Sequence, residues 1–371
     1  MIYVNDVAGV IEIPQWIKHT AAEEDGMGLS DIVFPLFLYI VGLSIPLAIR
    51  TRRQAGKTDI STLKHIISRS VALIVMGIFL VNYSHLSRES TPIAKEWWLI
   101  LFTLGSMLTW LNYKRLKSLS TFQVKVLKVL GMVILIVLAL VFDAGIEGWF
   151  DLRPYWWGIL GLIGWAYLLN ASLYLFAGRN RIIMLLSALV LLLLNLQEFE
   201  QFPGAQNWRI VVSASNHLLV NLGVLSTMLF LYCQEKRNMI LYPRLLVLFG
   251  GLLLVLGIFL NKWYIISKIL ATPSWTLICA GTGMVLLAFL HWLVDMKGLK
   301  GWSSFFKPAG TSTLTCYMIP FLIYPMMKVI GFGWPAFMNM GVGGLLRSLL
   351  FTILIVFLTG LLEKKNIQLR I

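Results

Sequence analysis

The feature that most constrains this chain is a series of long apolar stretches that recur along its whole length. Each has about 20 residues with few charges, the length a helix needs to cross the roughly 30 Å hydrocarbon core of a bilayer. Ten stretches cover residues 29–50, 66–86, 97–113, 125–142, 157–178, 181–197, 210–233, 243–262, 274–294 and 312–330, and an eleventh at 343–362 closes the chain. A lone strand would leave backbone groups unsatisfied in lipid, so these segments predict helices.

The N-terminus departs from this pattern. Residues 1–6 are apolar but too short to span a membrane, and they lack the basic start of a signal peptide. We therefore expect the DNA upstream to encode, in frame, a further helix half with an Asp and an Arg near its start. The fold expectation is an all-α, polytopic transmembrane helix bundle. It has about ten full spans plus an N-terminal half-helix stub, in a single domain over residues 1–371.

Composition excludes most other classes of protein. Hydrophobic residues make up 58% of the chain and charged residues 13%, whereas a soluble domain is about 25% charged. This balance excludes a soluble enzyme, a disordered chain and a disulfide scaffold. Cys233, Cys279 and Cys316 lie in or beside apolar runs without CxxC or Cys/His spacing. We expect them to be small core residues, with neither a disulfide nor a bound metal.

Basic residues predict the orientation. Of the 31 Lys and Arg residues, 22 fall in alternate connections on one side of the predicted spans, beginning with 50–69 and 113–128. That side is predicted to be cytoplasmic by the positive-inside rule. The net charge of +14 is therefore assigned to loops at the membrane and not to nucleic-acid binding. The C-terminus is predicted to be cytoplasmic, and the loop 12–28 lies on the opposite side.

Tryptophans collect at the predicted outer ends of the spans. They are Trp16, Trp97, Trp98, Trp149, Trp156, Trp157, Trp208, Trp263, Trp275 and Trp334. They are typical of an interfacial aromatic belt. Alternatively, some of them stack on a sugar ring in an outer vestibule.

The first outer loop is the richest source of chemistry. His19 could be an ordinary loop residue or a group that accepts a proton near neutral pH, as acyl transfer requires. Asp31 opens the next span, where it could cap the helix or contact a substrate. Asn5 lies at the end of the stub.

A second polar cluster lies in the outer half of a later span. Ser213, His217 and Asn221 are spaced four residues apart and share one helical face, with Asn216 beside them. Such a stripe is either interhelical hydrogen bonding or the wall of a polar pocket. We expect His217 to line the same outer cavity as His19. Glu198 and Glu200, in the preceding outer connection, are expected to be solvated.

On the inner side, Arg69 follows a basic loop at the mouth of a span. It could be positive-inside decoration or a phosphate contact for an anionic cofactor. The sequence carries no P-loop, GxGxxG or kinase signature, so ATP-driven work is not expected.

Several blocks together resemble a known family. They are Asp31–Ile45 with Phe34-Pro35 and Gly42, His19 about a dozen residues earlier, Val4-Asn5, Arg69-Ser70, Val81-Asn82, Asn261-Lys262, Ile265–Ile269, Asp295–Gly298 and Phe306–Gly310. Over nearly the whole chain this pattern is similar to the heparan-α-glucosaminide N-acetyltransferase family of transmembrane acyltransferases, and closest to its bacterial, Bacteroidetes-like DUF5009 branch.

The resemblance implies a function. Acetyl-CoA would bind from the cytoplasmic side, and its acetyl group would pass to the amino group of a glucosamine-type sugar, as at a glycosaminoglycan end, on the periplasmic side of a bacterial inner membrane. His19 would be the base or the nucleophile, Asn5 would assist it, and Arg69 would contact CoA. The expected acceptor-binding residues are Asp31, Asn216, His217, Asn261 and Lys262.

Two departures and one alternative accompany this hypothesis. The family's first helix, with its Leu-Asp-x-x-Arg-Gly start, is absent, and 83–112 lacks the Gln-Arg pattern of the mammalian branch. The alternative is an amino-sugar transporter without acyl chemistry, for which Pro35 and Pro46 would break one helix. The acceptor, N- versus O-acetylation and the oligomeric state, including a homodimer, stay open.

Overall fold

The structure is a computed structural model that describes residues 1–87, 91–116, 118–145, 151–178, 180–198 and 212–371. Within these ranges, eight helices are long and apolar enough to cross a membrane: Leu29–Gln54, Asp59–His85, Thr121–Leu140, Gly158–Ala177, Ala214–Glu235, Leu241–Leu260, Pro273–Met296 and Gly341–Lys364. The prediction of an all-α polytopic bundle is confirmed.

Three other predicted spans form shorter helices. The stretch 97–113 lies mostly in a helix of 16 residues, and 181–197 is a helix of 17 residues. The stretch 312–330 forms the apolar helical segment Thr313–Val329, in which Pro320 starts a new helix. The N-terminal stub is a helix of six residues. Within the described ranges, the structure therefore has eight helices of spanning length where about ten were predicted, because three of the predicted spans form shorter helices.

The contacts group the chain into two compact units, which are described separately. Unit 1 comprises Met1–Ile13, Val75–Gly158 and Lys300–Ile371, and unit 2 comprises Pro14–Ile74 and Ile159–Leu299. The helices of unit 1 are α1 (Ile2–Val7), α4 (Lys95–Trp110), α5 (Thr121–Leu140), α11 (Lys307–Thr311), α12 (Thr313–Met318), α13 (Pro320–Val329) and α14 (Gly341–Lys364). Those of unit 2 are α2 (Leu29–Gln54), α7 (Arg181–Gln197), α8 (Ala214–Glu235), α9 (Leu241–Leu260) and α10 (Pro273–His291). Helix α3 (Asp59–Asn82) begins in unit 2 and ends in unit 1, while α6 (Gly158–Ala177) lies in unit 2 after its first residue. The single domain over 1–371 stays a prediction.

Glycines let the helices of unit 2 approach closely. A Cβ on Gly42 of α2 would lie 2.0 Å from the Val220 carbonyl oxygen of α8, and one on Gly223 would lie 2.1 Å from the Tyr39 carbonyl oxygen. Helices α9 and α10 meet in the same way at Gly250 and Gly281. Small residues of this kind allow close backbone contact, which drives helix association in a bilayer.

Helix α2 continues through both of its prolines, so the expectation of a broken helix was wrong. Pro35 lacks an N–H, which removes the hydrogen bond to the carbonyl of Asp31 four residues earlier. The indole Nε1 of Trp275 on α10 donates to that carbonyl oxygen at 3.3 Å. A neighbouring helix thus satisfies the backbone group that the proline frees, as transmembrane helices require.

Three helices of unit 2 begin at the same end. The Trp275–Asp31 contact joins the first turns of α10 and α2. The Oγ of Ser215 lies 2.6 Å from Oγ1 of Thr276, which joins the first turns of α8 and α10. We call this end of unit 2 the polar end, because His19 and its partners also lie there.

In unit 1, an ionic cluster joins α1 to α14. Arg347 of α14 donates from Nη2 to Oδ2 of Asp6 at 3.2 Å, and the two side chains are 9% and 7% exposed. The hydroxyl of Tyr324 donates to the other carboxylate oxygen of Asp6, and Arg347 also donates to Asn339. Such a pair within an apolar bundle holds α1 in one position against α14.

Cysteines and tryptophans divide between core and surface. All three cysteines are buried, as predicted. Trp16, Trp97, Trp156 and Trp263 are exposed, as an aromatic belt requires, but Trp98 and Trp275 are fully buried. Those two are core residues because their indole N–H groups have backbone acceptors, the carbonyls of Leu138 and Asp31. Trp149 and Trp208 lie outside the described residues.

Candidate functional site

The centre of the polar end is a contact between His19 and Asp31. The imidazole Nδ1 lies 2.7 Å from Oδ1 of the carboxylate. A carboxylate only accepts hydrogen bonds, so Nδ1 is the donor in this contact, and in the neutral ring Nε2 is then the nitrogen with the lone pair. The His19 side chain is 35% exposed, whereas Asp31 is 1% exposed. The arrangement is a buried acid that orients a half-exposed imidazole, which is how a general base or nucleophile is held in place.

The carboxylate of Asp31 also fixes the loop before α2. Its second oxygen accepts hydrogen bonds from the backbone N–H of Thr20 and of Gly28, each at 3.0 Å. Gly28 is the N-cap of α2, and Asp31 occupies the position from which a side chain reaches back to the cap. The hydroxyl of Ser30 donates to the carbonyl of Ile17. Asp31 is therefore a helix cap, one of the two roles considered from the sequence, and it is also the partner of His19, which the sequence analysis did not predict.

Lys268 completes the centre. Its Nζ lies 3.1 Å from Nδ1 of His19 and 3.8 Å from Oδ1 of Asp31, and its side chain is 25% exposed. Burial lowers the pKa of the Lys268 ammonium, while the carboxylate of Asp31 and the thiol of Cys279 oppose that shift. We call these three residues the His19–Asp31–Lys268 cluster.

Two loops of unit 2 hold the cluster together. In the first loop, Asp25 accepts hydrogen bonds from the Ile266 backbone N–H at 2.8 Å and from the Asn261 side chain at 3.3 Å. The N–H of Gly26 donates to the carbonyl of Ile266 at 3.0 Å. The Ser267 hydroxyl donates to the carbonyl of Ala22 at 2.9 Å. The loop that carries Lys268 is therefore clamped to the loop that carries His19.

Negative charge gathers at the helix ends here. Glu198 accepts hydrogen bonds from the Ala214 backbone N–H and from the Ser213 hydroxyl, each at 2.7 Å. Glu198 thus provides a hydrogen-bond acceptor for the backbone N–H at the start of α8, where free N–H groups favour a carboxylate. The expectation that Glu198 is simply solvated was wrong. Glu200, the next acidic residue, lies outside the described residues.

The expected acceptor-binding residues divide into two groups. Asp31 belongs to the cluster, whereas Asn261 donates to Asp25 in the first loop and contacts none of the three cluster residues among the contacts of the described chain. Lys262 is exposed, with its Nζ 5.3 Å from the centre of the Phe259 ring. Asn5 is exposed on α1 in unit 1, so its support of His19 stays a prediction.

The stripe on α8 is buried. His217 is 2% exposed, and its carbonyl accepts a hydrogen bond from the Asn170 side chain at 3.0 Å. Asn221 donates to Asn170 and to Ser187, each at 3.0 Å. The Asn221 part of the stripe is therefore interhelical hydrogen bonding between α6, α7 and α8. Asn216 is also buried.

The position of His217 along α8 follows from the α2–α8 contacts. Gly42 meets Val220 and Gly223, and the Thr227 hydroxyl donates to the carbonyl of Leu43. The two helices run in parallel from the polar end, so His217, three residues before Val220, lies between the polar end and the contact with Gly42. A cavity shared by His217 and His19 stays a prediction.

Basic residues gather at the opposite end of unit 2. Helix α2 has 26 residues, which makes it about 39 Å long, and Arg52 and Arg53 lie in its last turn. Arg53 pairs with Asp59 at 3.1 Å and donates to the carbonyl of Leu175 at 2.7 Å. Arg69 does not lie at this end, although the sequence placed it at the mouth of a span, because α3 begins at Asp59, ten residues or about 15 Å earlier. It is half-buried, with its guanidinium 4.9 Å from the centre of the Tyr167 ring. Its Nε is buried and has no hydrogen-bond partner among the described residues.

Lys268 is the residue of the centre that sequence reasoning missed as a functional group. Two signals could have found it. It is one of nine basic residues on the predicted outer side, where Lys and Arg are scarce. It also lies in the Ile265–Ile269 stretch that carries the family resemblance. Among the described residues, no group of three or more His, Cys, Asp or Glu could hold a metal ion.

The chain is similar to known proteins over part of its length. Residues 10–194, which include His19, Asp31 and Arg69, match the sequence model of the family described as a domain of unknown function, DUF5009. A segment of 82 residues is 34% identical to heparan-α-glucosaminide N-acetyltransferase from Mus musculus. The segment is 22% of this chain and spans 12% of the mouse protein. The chain is thus a multi-pass membrane protein that resembles the DUF5009 family over residues 10–194 and is distantly similar to an N-acetyltransferase.

Proposed function

We propose that this protein is a membrane-embedded acetyltransferase that moves an acetyl group from cytoplasmic acetyl-CoA to a glucosamine-type amino sugar on the periplasmic side of a bacterial inner membrane. The observation that carries the proposal is the His19–Asp31 contact at 2.7 Å, with a half-exposed imidazole over a buried carboxylate. The distant similarity to an N-acetyltransferase supports the same chemistry.

The reaction needs a base. An amine attacks a thioester when its nitrogen lone pair is free, and the attack forms an N–C bond while the C–S bond of acetyl-CoA breaks. The amine proton passes to Nε2 of His19, and the CoA thiolate takes up a proton as it leaves. If His19 is instead the nucleophile, Nε2 bonds to the carbonyl carbon while the C–S bond breaks and the CoA thiolate leaves. The amine then attacks the acetyl carbon, the bond from that carbon to Nε2 breaks, and the amine proton passes to the released Nε2. Asp31 orients the ring in either case.

The proposal places the acetyl donor and the acceptor at opposite ends of unit 2. Acetyl-CoA is a large anion that does not cross a bilayer, so its phosphates would enter from the basic end and meet Arg69 within α3. The acceptor would meet His19 at the polar end, with Asn5 assisting and with Asn216, His217, Asn261 and Lys262 contributing to acceptor binding. Developing negative charge on the carbonyl oxygen would be favoured near the first turns of α2, α8 and α10.

The test is acetylation of glucosamine from acetyl-CoA by purified protein or membranes. His19→Ala should lower turnover by at least about 10²–10⁴-fold, the usual cost of losing a general base, and by more if His19 is an obligatory nucleophile. Acetyl-CoA binding and thermal unfolding should stay close to wild type, because the imidazole is half-exposed. His85→Ala is the matched control, since His85 stacks on Tyr155 in unit 1. Wild-type turnover by His19→Ala would refute the mechanism and favour the amino-sugar transporter.

A further inference from the structure

We infer that Lys268 is a positioning residue that keeps the imidazole of His19 neutral by balancing the charge of Asp31. Its consequence for turnover rests on the proposed acetyl transfer, whereas its effect on the ionisation of His19 does not. The geometry is direct: Nζ of Lys268 lies 3.1 Å from Nδ1 of His19, and the carboxylate oxygen lies 2.7 Å from the same nitrogen.

A carboxylate at this position has two effects: it orients the ring, and it raises the affinity of the ring for a proton. An anion in contact with an imidazole favours the protonated, cationic ring. A protonated ring has no lone pair, so it can neither accept the amine proton nor attack a carbonyl. A buried aspartate beside His19 therefore orients the ring at the risk of inactivating it near neutral pH.

The ammonium of Lys268 removes this conflict. Nδ1–H and the ammonium are both donors, so their approach is not a hydrogen bond but a contact between like charges once the ring is protonated. That contact disfavours the imidazolium form. The ammonium is itself favoured by Oδ1 of Asp31 at 3.8 Å. Orientation by Asp31 and neutrality through Lys268 can then coexist in one site.

The position of Lys268 is held by its loop. On its N-terminal side, the Ile266 backbone N–H donates to Asp25 and the Ser267 hydroxyl donates to the carbonyl of Ala22. On its C-terminal side, Ala271 accepts a hydrogen bond from Asn195 at 3.0 Å. A lysine on a free surface loop would sample many positions, but these bonds keep its ammonium near the ring.

Several other charged or titratable groups lie on the elements around Lys268 within the described residues. They are Asp31 on α2, Cys279 on α10, Glu198 after α7, and Lys18, Glu23, Glu24 and Asp25 in the first loop. Glu23 and Glu24 are exposed to solvent, and Glu198 and Asp25 are engaged with backbone N–H groups. Within the described part of the chain, Lys268 and Asp31 are the charged side chains in contact with the His19 ring.

The experiment measures the ionisation of His19 without using turnover. Purified protein is treated with diethyl pyrocarbonate over a range of pH, and the modification rate of the peptide containing His19 is followed by mass spectrometry. Only the neutral imidazole reacts, so the midpoint reports the pKa of His19. Lys268→Met should raise that midpoint by about one pH unit or more, the effect of losing a unit charge at this distance even in a high dielectric. Lys268→Arg should leave it near the wild-type value.

Controls separate charge from structure. Lys297→Met removes a lysine that lies beyond α10 over the Trp292 ring, and it should not move the midpoint. If Lys268→Met does not unfold cooperatively, Lys268→Gln takes its place. A midpoint unchanged from wild type overturns the inference, as does failure of both Met and Gln variants to fold, since Lys268 would then be structural.

The pH dependence of turnover provides a second, independent measurement. If the acetyl transfer takes place as proposed, the acid limb of kcat/KM should move to higher pH in Lys268→Met together with the modification midpoint. A midpoint that moves in a protein with no acetylation activity would support the role of Lys268 and count against the proposed function. A midpoint that does not move in an active enzyme would count against the role of Lys268 and support the proposed function.

Discussion

Nδ1 of His19 lies 2.7 Å from Oδ1 of Asp31, although the two residues are separated by 12 positions in the chain. The contact depends on the turn before α2, in which the same carboxylate accepts two backbone N–H groups. One side chain thus starts a helix, shapes a loop and sets the tautomer of an imidazole. The consequences of changing it are specific.

Asp31→Asn should reduce acetylation by about 10²–10⁴-fold, the range for loss of effective general base catalysis. An asparagine keeps the size of the side chain, but its amide can offer N–H to Nδ1 and so favour the wrong tautomer of His19. It also has one acceptor oxygen where the carboxylate has two. Initial rates at saturating acceptor measure the effect. Asp143→Asn, which alters an exposed turn in unit 1, is the control, and equal rates for the two variants would contradict the role of Asp31.

Arg69→Ala should weaken acetyl-CoA binding by about 10–100-fold, the loss of a charge-assisted hydrogen bond of about 1.5–3 kcal/mol. The buried Nε of Arg69 has no partner in the described part of the chain, which leaves it available to a phosphate. Calorimetric titration of acetyl-CoA measures the change. Arg181→Ala is matched, because that guanidinium also lies over a tyrosine ring, 4.4 Å from the centre of Tyr232. Wild-type affinity in Arg69→Ala would show that Arg69 does not contact CoA and contributes only to the positive-inside charge bias.

Gly223→Ala should destabilise the protein by several kcal/mol and lower its Tm in detergent. The added methyl would lie 2.1 Å from the carbonyl oxygen of Tyr39, so α2 and α8 would have to separate. Gly251→Ala on α9 is the control, since nothing lies within 4 Å of its Cβ. That change should be neutral or stabilising by up to about 1 kcal/mol, because alanine is the better helix former. Equal melting temperatures would mean that α2 and α8 are not in close contact.

Arg347→Met and Asp6→Asn should each destabilise unit 1 by about 3–5 kcal/mol, because each leaves the other charge buried without its partner. Both side chains are more than nine-tenths buried. The double variant should lose less than the sum of the single losses, since no uncompensated charge remains. Denaturant or thermal unfolding in detergent gives the four values of the cycle. Additive losses would show that the two groups do not interact in the folded protein.

The local pattern of the sequence accounts for most of the helices. Long apolar stretches of about 20 residues can satisfy their backbone only as helices in lipid, so element type followed from composition and spacing alone. The cysteines were correctly expected to be buried. Helix ends were less well predicted, as with the stretch 312–330, which Pro320 divides. The expected break in α2 failed because an indole on another helix satisfies the carbonyl that Pro35 frees.

For the site, the sequence alone determined the chemistry available: a histidine and an aspartate around the start of one span, and arginines at its other end. Only the tertiary structure decided that Asp31 contacts His19, that Lys268 joins them from 249 residues away, and that Glu198 binds the start of α8. The physical reason is the distance along the chain over which each effect operates. Hydrophobic periodicity describes residues within one helix, whereas a charge is neutralised by whichever group the fold brings within a few ångströms.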